Sequence, residues 1–178
     1  IIRMLYIRNR VSPESAMKMS EGVEWTAHAC VLLAALPPGV GLPANALAEF
    51  HELAPAYMAK HMQALARAGV VESVRGPKGG YRLARPASDV SLLDVVEAIE
   101  GDEPAFRCSE IRQQGPCVTP QGDFRKPCEI HAAFNRAEIA WRAELKATSL
   151  GDMAKEVARK VTPQKRALTT QWLMEKLG

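Results

Sequence analysis

The chain has 178 residues with a formal net charge of +3, and 47% of the residues are hydrophobic. This length suits one compact domain with an extension, whose core needs no disulfide bonds. The longest apolar run, residues 29–36, is too short to cross a membrane, and residues 1–15 lack the apolar centre of a secretory signal. Four cysteines in such a chain favour a metal or thiol role over a disulfide framework. We therefore expect a cytoplasmic protein that does not contact a membrane.

Charge is distributed unevenly along the sequence. Residues 54–86 contain six cationic side chains and one anionic side chain, whereas residues 89–110 contain seven acidic side chains and one arginine. A basic block beside an acidic block predicts one surface that meets a polyanion and another that faces away from it. Two ordinary solvated faces would give the same pattern, so charge alone leaves both interpretations open.

The predicted elements begin after residues 1–16, which we interpret as an extension with little structure of its own. A helix rich in alanine and leucine follows and is stopped by Pro37 and the residues after it. A short second helix precedes a third, which Pro55 opens at a first-turn position and Gly69 closes. The three predicted helices cover 23–36, 43–51 and 55–68. The third carries a stripe at helical spacing that predicts a core face, formed by Met58, Met62 and Leu65.

Two short runs with strand character come next, over 70–74 and 81–84, and a tip rich in glycine and proline joins them. This pattern predicts a β-hairpin. Ser91, with Asp94 three residues later, then predicts a capping box at the start of a helix that Gly101 ends.

A polar segment broken by proline and glycine covers 102–127. It leads into a long amphipathic helix over 129–146. Ser149 and Asp152 open a further helix, and we expect residues 162–178 to form a separate helical tail.

Three helices followed by a hairpin are the order of a winged helix-turn-helix. The predicted fold is therefore mainly α, with a two-stranded wing and a long dimerisation helix. Such a unit places its third helix in the major groove of DNA, while glycines in the wing let the backbone approach a phosphate. A small helical domain with a hairpin of no particular function is the alternative. The candidate DNA-binding residues are Ala56, Tyr57, Lys60, His61 and Gln63 on the third helix, and Arg75, Lys78 and Gly79 at the wing.

Three cysteines, Cys108, Cys117 and Cys128, lie in or next to the polar segment, with eight and ten residues between them. This spacing is not that of a zinc ribbon. Thiolates are nevertheless the usual ligands of iron–sulfur clusters, and a loop rich in glycine and proline can fold around one. Free thiols are the alternative. The fourth cysteine, Cys30, lies in the apolar first helix and is predicted to be a core thiol.

Several strings resemble one protein family, the iron–sulfur winged-helix regulators typified by IscR, NsrR and RsrR. YMAKHMQALARAGVVESVRGPKGGYRLARP and SLLDVVEAIEG carry the resemblance, which extends from Met17 to about Asp152. GVEWTAHAC and AFRCSEIRQQGP are most similar to the RsrR-like branch. The resemblance implies a homodimer built on the long helix, a palindromic operator in double-stranded DNA, and a cluster near the dimer interface that governs DNA affinity. It divides the chain into a DNA-binding domain (17–101), a cluster-binding loop (102–128), and a dimerisation helix with a tail (129–178).

The resemblance implies three alternative ligand sets. Glu24 and His28 are four residues apart and so share a helix face. In the RsrR-like set, which we favour, these two residues of the partner subunit join Cys108 and Cys128 around a 2Fe–2S cluster. This set has no need of Cys117. In the IscR-like set, the three loop cysteines and His131 of one chain bind the cluster. In the NsrR-like set, the three cysteines and the partner subunit's Glu24 bind a 4Fe–4S cluster.

The sequence thus predicts a homodimeric transcriptional regulator whose affinity for its operator depends on the redox state or presence of a cluster. A metal-free regulator that senses oxidation through its thiols is the alternative. No enzyme is predicted, because the sequence contains no phosphate loop, dinucleotide fingerprint or nucleophile–base pair at telling spacing. No small-molecule substrate is expected. A protein-interaction module would differ from a regulator in showing no salt-dependent binding to DNA.

Overall fold

The structure, a computed structural model, describes residues 19–76, 79–116, 124 and 126–177. The predicted extension 1–16, Lys78 and Cys117 lie outside the described residues. The remainder forms a mainly helical fold with a wing of two strands, which confirms the predicted fold class. The elements are α1 (Glu21–Ala34), α2 (Ala44–Phe50), α3 (Pro55–Arg67), β1 (Val71–Val74), β2 (Gly80–Leu83), α4 (Leu92–Glu100), α5 (Glu129–Ala147), α6 (Leu150–Lys160) and α7 (Pro163–Leu177).

Local sequence signals fix several helix boundaries. Pro55 occupies the first turn of α3, where its missing N–H costs no hydrogen bond. The predicted capping box of α4 is present, because the Asp94 N–H donates to Ser91 Oγ at 3.1 Å and the Ser91 N–H donates to Asp94 Oδ2 at 2.7 Å. Gly101 ends α4 with a φ of +86°, a conformation that favours glycine.

The core lies between the first three helices, α4, the start of α6 and the base of the wing. Met58, Met62 and Leu65 of α3 are fully buried, which confirms the predicted stripe. Cys30 is also fully buried, and burial raises the pKa of its thiol to about 12. Cys30 is therefore a core residue, as predicted.

The wing is held at its base by the segment that precedes α2. Strands β1 and β2 pair antiparallel, with Val71 opposite Leu83 and Val74 opposite Gly80. Leu42 then extends the pairing, because its N–H donates to the Tyr81 carbonyl at 2.9 Å and its carbonyl accepts from the Tyr81 N–H at 2.8 Å. These two bonds fix the wing relative to the helix-turn-helix.

The last two helices pack back onto the unit formed by the first four helices and the wing. The Leu150 side chain at the start of α6 is fully buried, and its N–H donates to the Val90 carbonyl at 2.8 Å. The Trp172 ring of α7 packs on Phe50 of α2, with 4.9 Å between ring centroids. The prediction of a separate tail was thus wrong in one respect: the tail is helical, but an aromatic contact joins it to α2.

Helix α5 contacts α4 but lies outside the buried core. Within the described part of the chain, none of its residues is buried, and the side chains of Ile130, Phe134 and Ile139 are exposed.

No helix among the described residues is long and apolar enough to cross a membrane.

Candidate nucleic-acid interface and cysteine site

Helix α3 presents the predicted reading surface on the side away from the core. Ala56, Tyr57, Lys60 and Gln63 are exposed, because the stripe of Met58 and its neighbours faces inward. The turn that leads into α3 contains Glu52 with a φ of +54°, which allows the sharp change of direction between α2 and α3. The exposed side chains at the N-terminal half of α3 are available to a nucleic acid.

One aromatic residue of α1 contacts this reading surface. The Trp25 ring makes edge contacts with Tyr57 (6.2 Å between centroids) and with His61 (5.9 Å), which lie one turn apart on α3. His61 is therefore half-buried, and burial, with a smaller effect of the Lys60 charge, lowers its pKa. His61 is half-buried between α1 and α3, whereas Tyr57, which also contacts Trp25, stays exposed. The sequence pattern gave no sign of this contact, although Trp25 lies one residue after Glu24.

At Gly22 the two helices come still closer. A Cβ atom there would lie 2.5 Å from His61 Cε1, closer than real Cβ atoms approach. The first turn of α1 is thus in direct contact with α3.

Some cations of the basic block, residues 54–86, are paired with carboxylates, and others are not. Arg82 is paired with Glu72 on the neighbouring strand (2.7 Å), and Arg85 is paired with Asp94 (2.8 Å). Among the residues that the structure describes, three cations of the block make no ion pair: Lys60, Arg67 and Arg75. The available charge therefore lies on α3 and at the wing tip, where a polyanion would be met.

We expected the wing glycines to let the backbone approach a phosphate, but the Gly79 N–H is used within the wing itself. This N–H donates to the Gly76 carbonyl at 2.9 Å, so this amide closes the wing turn in the free chain. Added Cβ atoms at Gly79 would overlap the Val74 carbonyl, so only glycine fits the turn.

The two described loop cysteines have similar surroundings. Cys108 and Cys128 are both half-buried. Cys108 Sγ accepts the N–H of Glu110 and Cys128 Sγ accepts the N–H of His131, each at 3.4 Å. Cys128 is the N-cap residue of α5, so its sulfur lies among the free N–H groups of a helix N-terminus. Both sulfurs are thus held in place by backbone hydrogen bonds, which tune cluster-bound thiolates in general.

Arg112 ties the segment around Cys108 to the segment around Cys128. Its guanidinium donates to Glu110 Oε1 at 2.5 Å and to the Lys126 carbonyl at 3.1 Å. The hydrogen bond to Glu110 raises the pKa of Arg112, and the charges of Glu110 and Cys128 act in the same direction. Arg112 is a site residue that sequence reasoning missed, because nothing in the pattern distinguishes it from other loop arginines.

Aromatic packing makes a second tie between the loop and α5. The rings of Phe106 and Phe134 stack with 4.2 Å between centroids and 9° between planes. The half-buried His131 ring lies 6.1 Å from the Phe106 centroid, and its charge contributes to a lowered pKa of Glu110 after the larger effect of Arg112. The alternative ligand His131 thus lies in the same neighbourhood as the cysteines.

Glu24 and His28 are both exposed on α1. The His28 ring lies 5.8 Å from the ring of His51, whose buried Nε2 has no hydrogen-bond partner among the described residues. Burial, and then the charge of His28, lowers the pKa of His51. Since His51 is the C-cap of α2, His28 lies beside the turn into α3.

These residues can be tested against the requirements of an iron–sulfur cluster. The thiols of Cys108 and Cys128 fit, because both are half-buried and both accept backbone N–H bonds. Over residues 19–76, 79–116, 124 and 126–177, however, no group of three potential ligands of one chain comes together. A cluster with four protein ligands therefore needs Cys117, which lies outside the described residues, or side chains of a partner subunit.

Comparison with known proteins gives a family match over most of the chain. The family model described as "Rrf2: Iron-dependent Transcriptional regulator" matches residues 19–156. YwgB of Bacillus subtilis (strain 168), named as an HTH-type transcriptional regulator, is 39% identical over 85 residues, which are 48% of this chain and 54% of YwgB. The chain thus aligns with about half the length of YwgB. YffB of Lactococcus lactis subsp. lactis (strain IL1403), also named as an HTH-type transcriptional regulator, is 30% identical over 140 residues, 79% of this chain and 88% of YffB. These names agree with the expectation that the chain is not an enzyme.

Solved structures with the same fold include regulators of two kinds. IscR of T. potens superimposes with a TM-score of 0.62 at 22% identity, over 82% of this chain and 92% of that one. CymR of B. subtilis, described as the global cysteine regulator, gives a TM-score of 0.60 at 21% identity, over 78% and 97%. The oxidised form of Staphylococcus aureus CymR gives 0.57 at 25% identity, over 77% and 95%. The first two likenesses establish the winged-helix fold, and nothing finer.

Proposed function

Because the chain belongs to the Rrf2 family of transcriptional regulators, we propose that it binds operator DNA as a cytoplasmic homodimer and that an iron–sulfur cluster sets its affinity. Helices α1–α3 and the wing form the DNA-binding unit, with Lys60 and Arg75 as its phosphate contacts. The exposed residues Ala56, Tyr57 and Gln63 of α3 meet the base edges. Lys78 and Gly79 complete the wing contact.

The proposed ligands are Cys108 and Cys128 of one subunit with the partner subunit's Glu24 and the partner subunit's His28. Two thiolates on one side and a carboxylate with an imidazole on the other suit a 2Fe–2S cluster whose potential is shifted by its nitrogen and oxygen ligands. When bound, the cluster supplies one-electron redox chemistry. The RsrR-like assignment within the family rests on these four residues and remains a prediction.

One observation carries the link from cluster to DNA. The helix that presents Glu24 and His28 touches the reading helix directly, because Trp25 lies against Tyr57 and His61. A force on α1 is therefore delivered to α3 without an intermediate element. Since half-site spacing depends on the relative position of the two reading helices, a small displacement changes the affinity for a palindromic operator.

Dimerisation through α5 is supported by its exposed apolar side chains. Ile130 is 65% exposed and Ile139 is 61% exposed, so a free chain would leave a long helix with apolar residues in water. Residues nine apart lie on opposite faces of a helix, so pairing of two copies of α5 about a two-fold axis covers one of the two side chains. It also brings Cys128 at the start of α5 close to the second subunit.

DNA binding is tested with the purified chain and a duplex selected from a random-sequence library. We expect the affinity for DNA to fall steeply as the salt concentration rises. Lys60→Ala should make the plot of log K against log salt less steep, by about one unit of slope. Lys155→Ala is the matched control, because Lys155 is an exposed helical lysine paired with Asp152 on α6. An equal loss of slope in both variants would contradict the assigned reading surface.

The cluster is tested by anaerobic purification, followed by visible absorption and by iron and sulfide analysis. Cys108→Ser and Cys128→Ser are expected to abolish the visible spectrum, and Glu24→Gln and His28→Ala to shift it. Glu21→Gln is the control, because Glu21 is exposed in the same first turn of α1. A protein that stays colourless after reconstitution would rule out the cluster. An unchanged spectrum in the Glu24 and His28 variants would favour the single-chain set with Cys117 and His131. A change in the Glu24 variant alone would favour the 4Fe–4S set.

A metal-free regulator that senses oxidation is the second candidate. It is favoured by the 25% identity with S. aureus CymR, for which an oxidised crystal form exists, and by the thiols of Cys108 and Cys128 on neighbouring segments. In this candidate, hydrogen peroxide accepts two electrons and two protons from two thiols, which yields a disulfide and two water molecules. Peroxide-dependent release of DNA from a protein free of iron, lost in Cys108→Ser, would favour it over the cluster.

A further inference from the structure

Arg142 of α5 joins three segments that the proposed function needs to move together. Its Nε donates to Glu138 Oε1 on the same helix at 2.6 Å, and its Nη1 donates to Glu97 Oε1 on α4, also at 2.6 Å. Its Nη2 donates to the carbonyl oxygens of Asp102 (3.0 Å) and Glu103 (3.4 Å), at the start of the cysteine loop. The dimerisation helix, the DNA-binding domain and the cysteine loop thus meet at one guanidinium.

The ion pair between Arg142 and Glu138 is shielded from water, whereas the side chain of Glu97 is 37% exposed. The side chain of Arg142 is 21% exposed and that of Glu138 is 12% exposed, so solvent weakens their attraction less than at the surface. Trp141 supports the arrangement: its Nε1 donates to Glu138 Oε2 at 2.9 Å, and its ring lies 5.1 Å from the Arg142 guanidinium carbon.

An aromatic contact extends the joint along the loop. The Phe106 ring stacks on the Phe134 ring of α5 with 4.2 Å between centroids, and Phe106 is only two residues before Cys108. The stretch between Asp102 and the first cysteine is fastened to α5 at successive points.

We propose that Arg142 is a positioning residue that transmits the position of the cysteine loop to the DNA-binding domain. A shift of Cys108 pulls on the carbonyls bound by Arg142, and because the same guanidinium holds Glu97, α4 must follow. Only an arginine can do this, since a lysine ammonium cannot occupy a planar fork with four acceptors. This inference rests on the proposed function, because the signal that it transmits is the state of the cysteine site.

The test compares Arg142→Met and Arg142→Lys with the wild-type protein. Arg159→Met is the control, because Arg159 is an exposed arginine that pairs with Glu156 three residues away. For each protein, Kd for the selected duplex is measured with the cluster oxidised and with it reduced. We expect the wild-type protein and the control to show a ratio of at least about fivefold between the two states. Both Arg142 variants should show a clearly smaller ratio, and the part that remains is carried by the contact of α1 with α3.

A second readout needs no cluster. Amide hydrogen exchange over residues 102–108 and over α4, measured in the metal-free protein, should accelerate in Arg142→Met and stay at the wild-type rate in Arg159→Met. The thermal midpoint identifies variants that are merely unfolded. For a poorly folded Arg142→Met, the conservative Arg142→Lys decides.

The possible results separate the two proposals. A wild-type ratio above about fivefold that Arg142→Lys and Arg142→Met retain would overturn the positioning role and leave the proposed function intact. A wild-type Kd that is the same with the cluster oxidised, reduced and removed would contradict the proposed function itself. In that case the positioning role of Arg142 is tested by amide hydrogen exchange alone. Unchanged exchange in Arg142→Met would overturn that role.

Discussion

Gly80, at the base of the wing, offers a sharp test of how the wing is held. Its φ is +131°, and an added Cβ atom would overlap the backbone of Leu42 and Pro43. Backbone atoms cannot turn aside as a flexible side chain can. Gly80→Ala must therefore open the contact that Leu42 makes with Tyr81, through two hydrogen bonds of 2.9 and 2.8 Å.

Comparison with Gly76→Ala separates two parts of the lost stability, the strained backbone conformation and the broken hydrogen bonds. Gly76 also has a positive φ, +111°, but no described atom lies within 4 Å of its added Cβ. Both variants pay about 1–2 kcal/mol for an alanine in this conformation. Gly80→Ala loses in addition two hydrogen bonds, worth about 1–3 kcal/mol together. For a chain of this size the difference corresponds to a thermal midpoint lower by about 2–12 °C.

Calorimetry on the two purified variants measures this difference, and titration of the selected duplex measures its effect on function. We expect Gly80→Ala to unfold earlier and to bind DNA more weakly than Gly76→Ala, because the wing is no longer fixed relative to α3. Equal midpoints for the two variants would refute the reasoning, since the strain of a positive φ would then be the whole effect.

Three further predictions concern acid stability, the tail and the thiols. Burial acts to raise the pKa of Asp94, but the bonds from its capping partner and the charge of the neighbouring arginine lower it. The stabilising effect of the Asp94 carboxylate is therefore complete above the pKa of about 3.9 in the unfolded chain, and it is lost as pH falls through the lower pKa in the folded chain. The free energy of unfolding in urea should thus decrease less between about pH 5 and 2 in Asp94→Asn than in the wild-type protein. Trp172→Ala should lower the free energy of unfolding in urea by about 1–2 kcal/mol, and Lys176→Ala should lower it by less than about 1 kcal/mol. Equal losses in the two variants would contradict the aromatic contact as the main tie between α7 and α2. In the folded, metal-free chain, iodoacetamide at pH 8 should modify Cys108 and Cys128 but not Cys30, as measured by mass spectrometry of peptides. Modification of Cys30 before unfolding would refute its burial.

Local signals in the sequence were sufficient for most of the fold. The capping box at Ser91, the proline that opens α3 and the stripe led by Met58 each depend on residues within one or two turns of each other. The hairpin followed from two short runs and a tip rich in glycine. Interactions of this range leave a periodic pattern, so one sequence is enough to find them.

Contacts between distant segments left no such pattern. Trp172 is 122 residues from Phe50, and nothing in either neighbourhood indicates that the rings meet. Arg112 and Arg142 were missed for the same reason, because the partners that make them tie two segments together, the Lys126 carbonyl and Glu97, lie 14 and 45 residues away along the chain. The use of the Gly79 amide inside the wing turn depended on exact backbone angles, which a glycine-rich string does not specify.

The alternative ligand sets differ in the mechanical route by which they reach the reading helix. A set taken from one chain, with Cys117 and His131, acts only on the loop and on the start of α5, so its signal must pass through Arg142. A set that includes the partner subunit's Glu24 and the partner subunit's His28 acts in addition on α1, and α1 touches α3 through Trp25. Loss of Arg142 should therefore abolish the response to a single-chain cluster. It should leave a residual response only if the cluster also bridges to the partner's α1 strongly enough to move α3. A residual ratio in the Arg142 variants that disappears when Glu24→Gln is added would thus assign the signal to the second route.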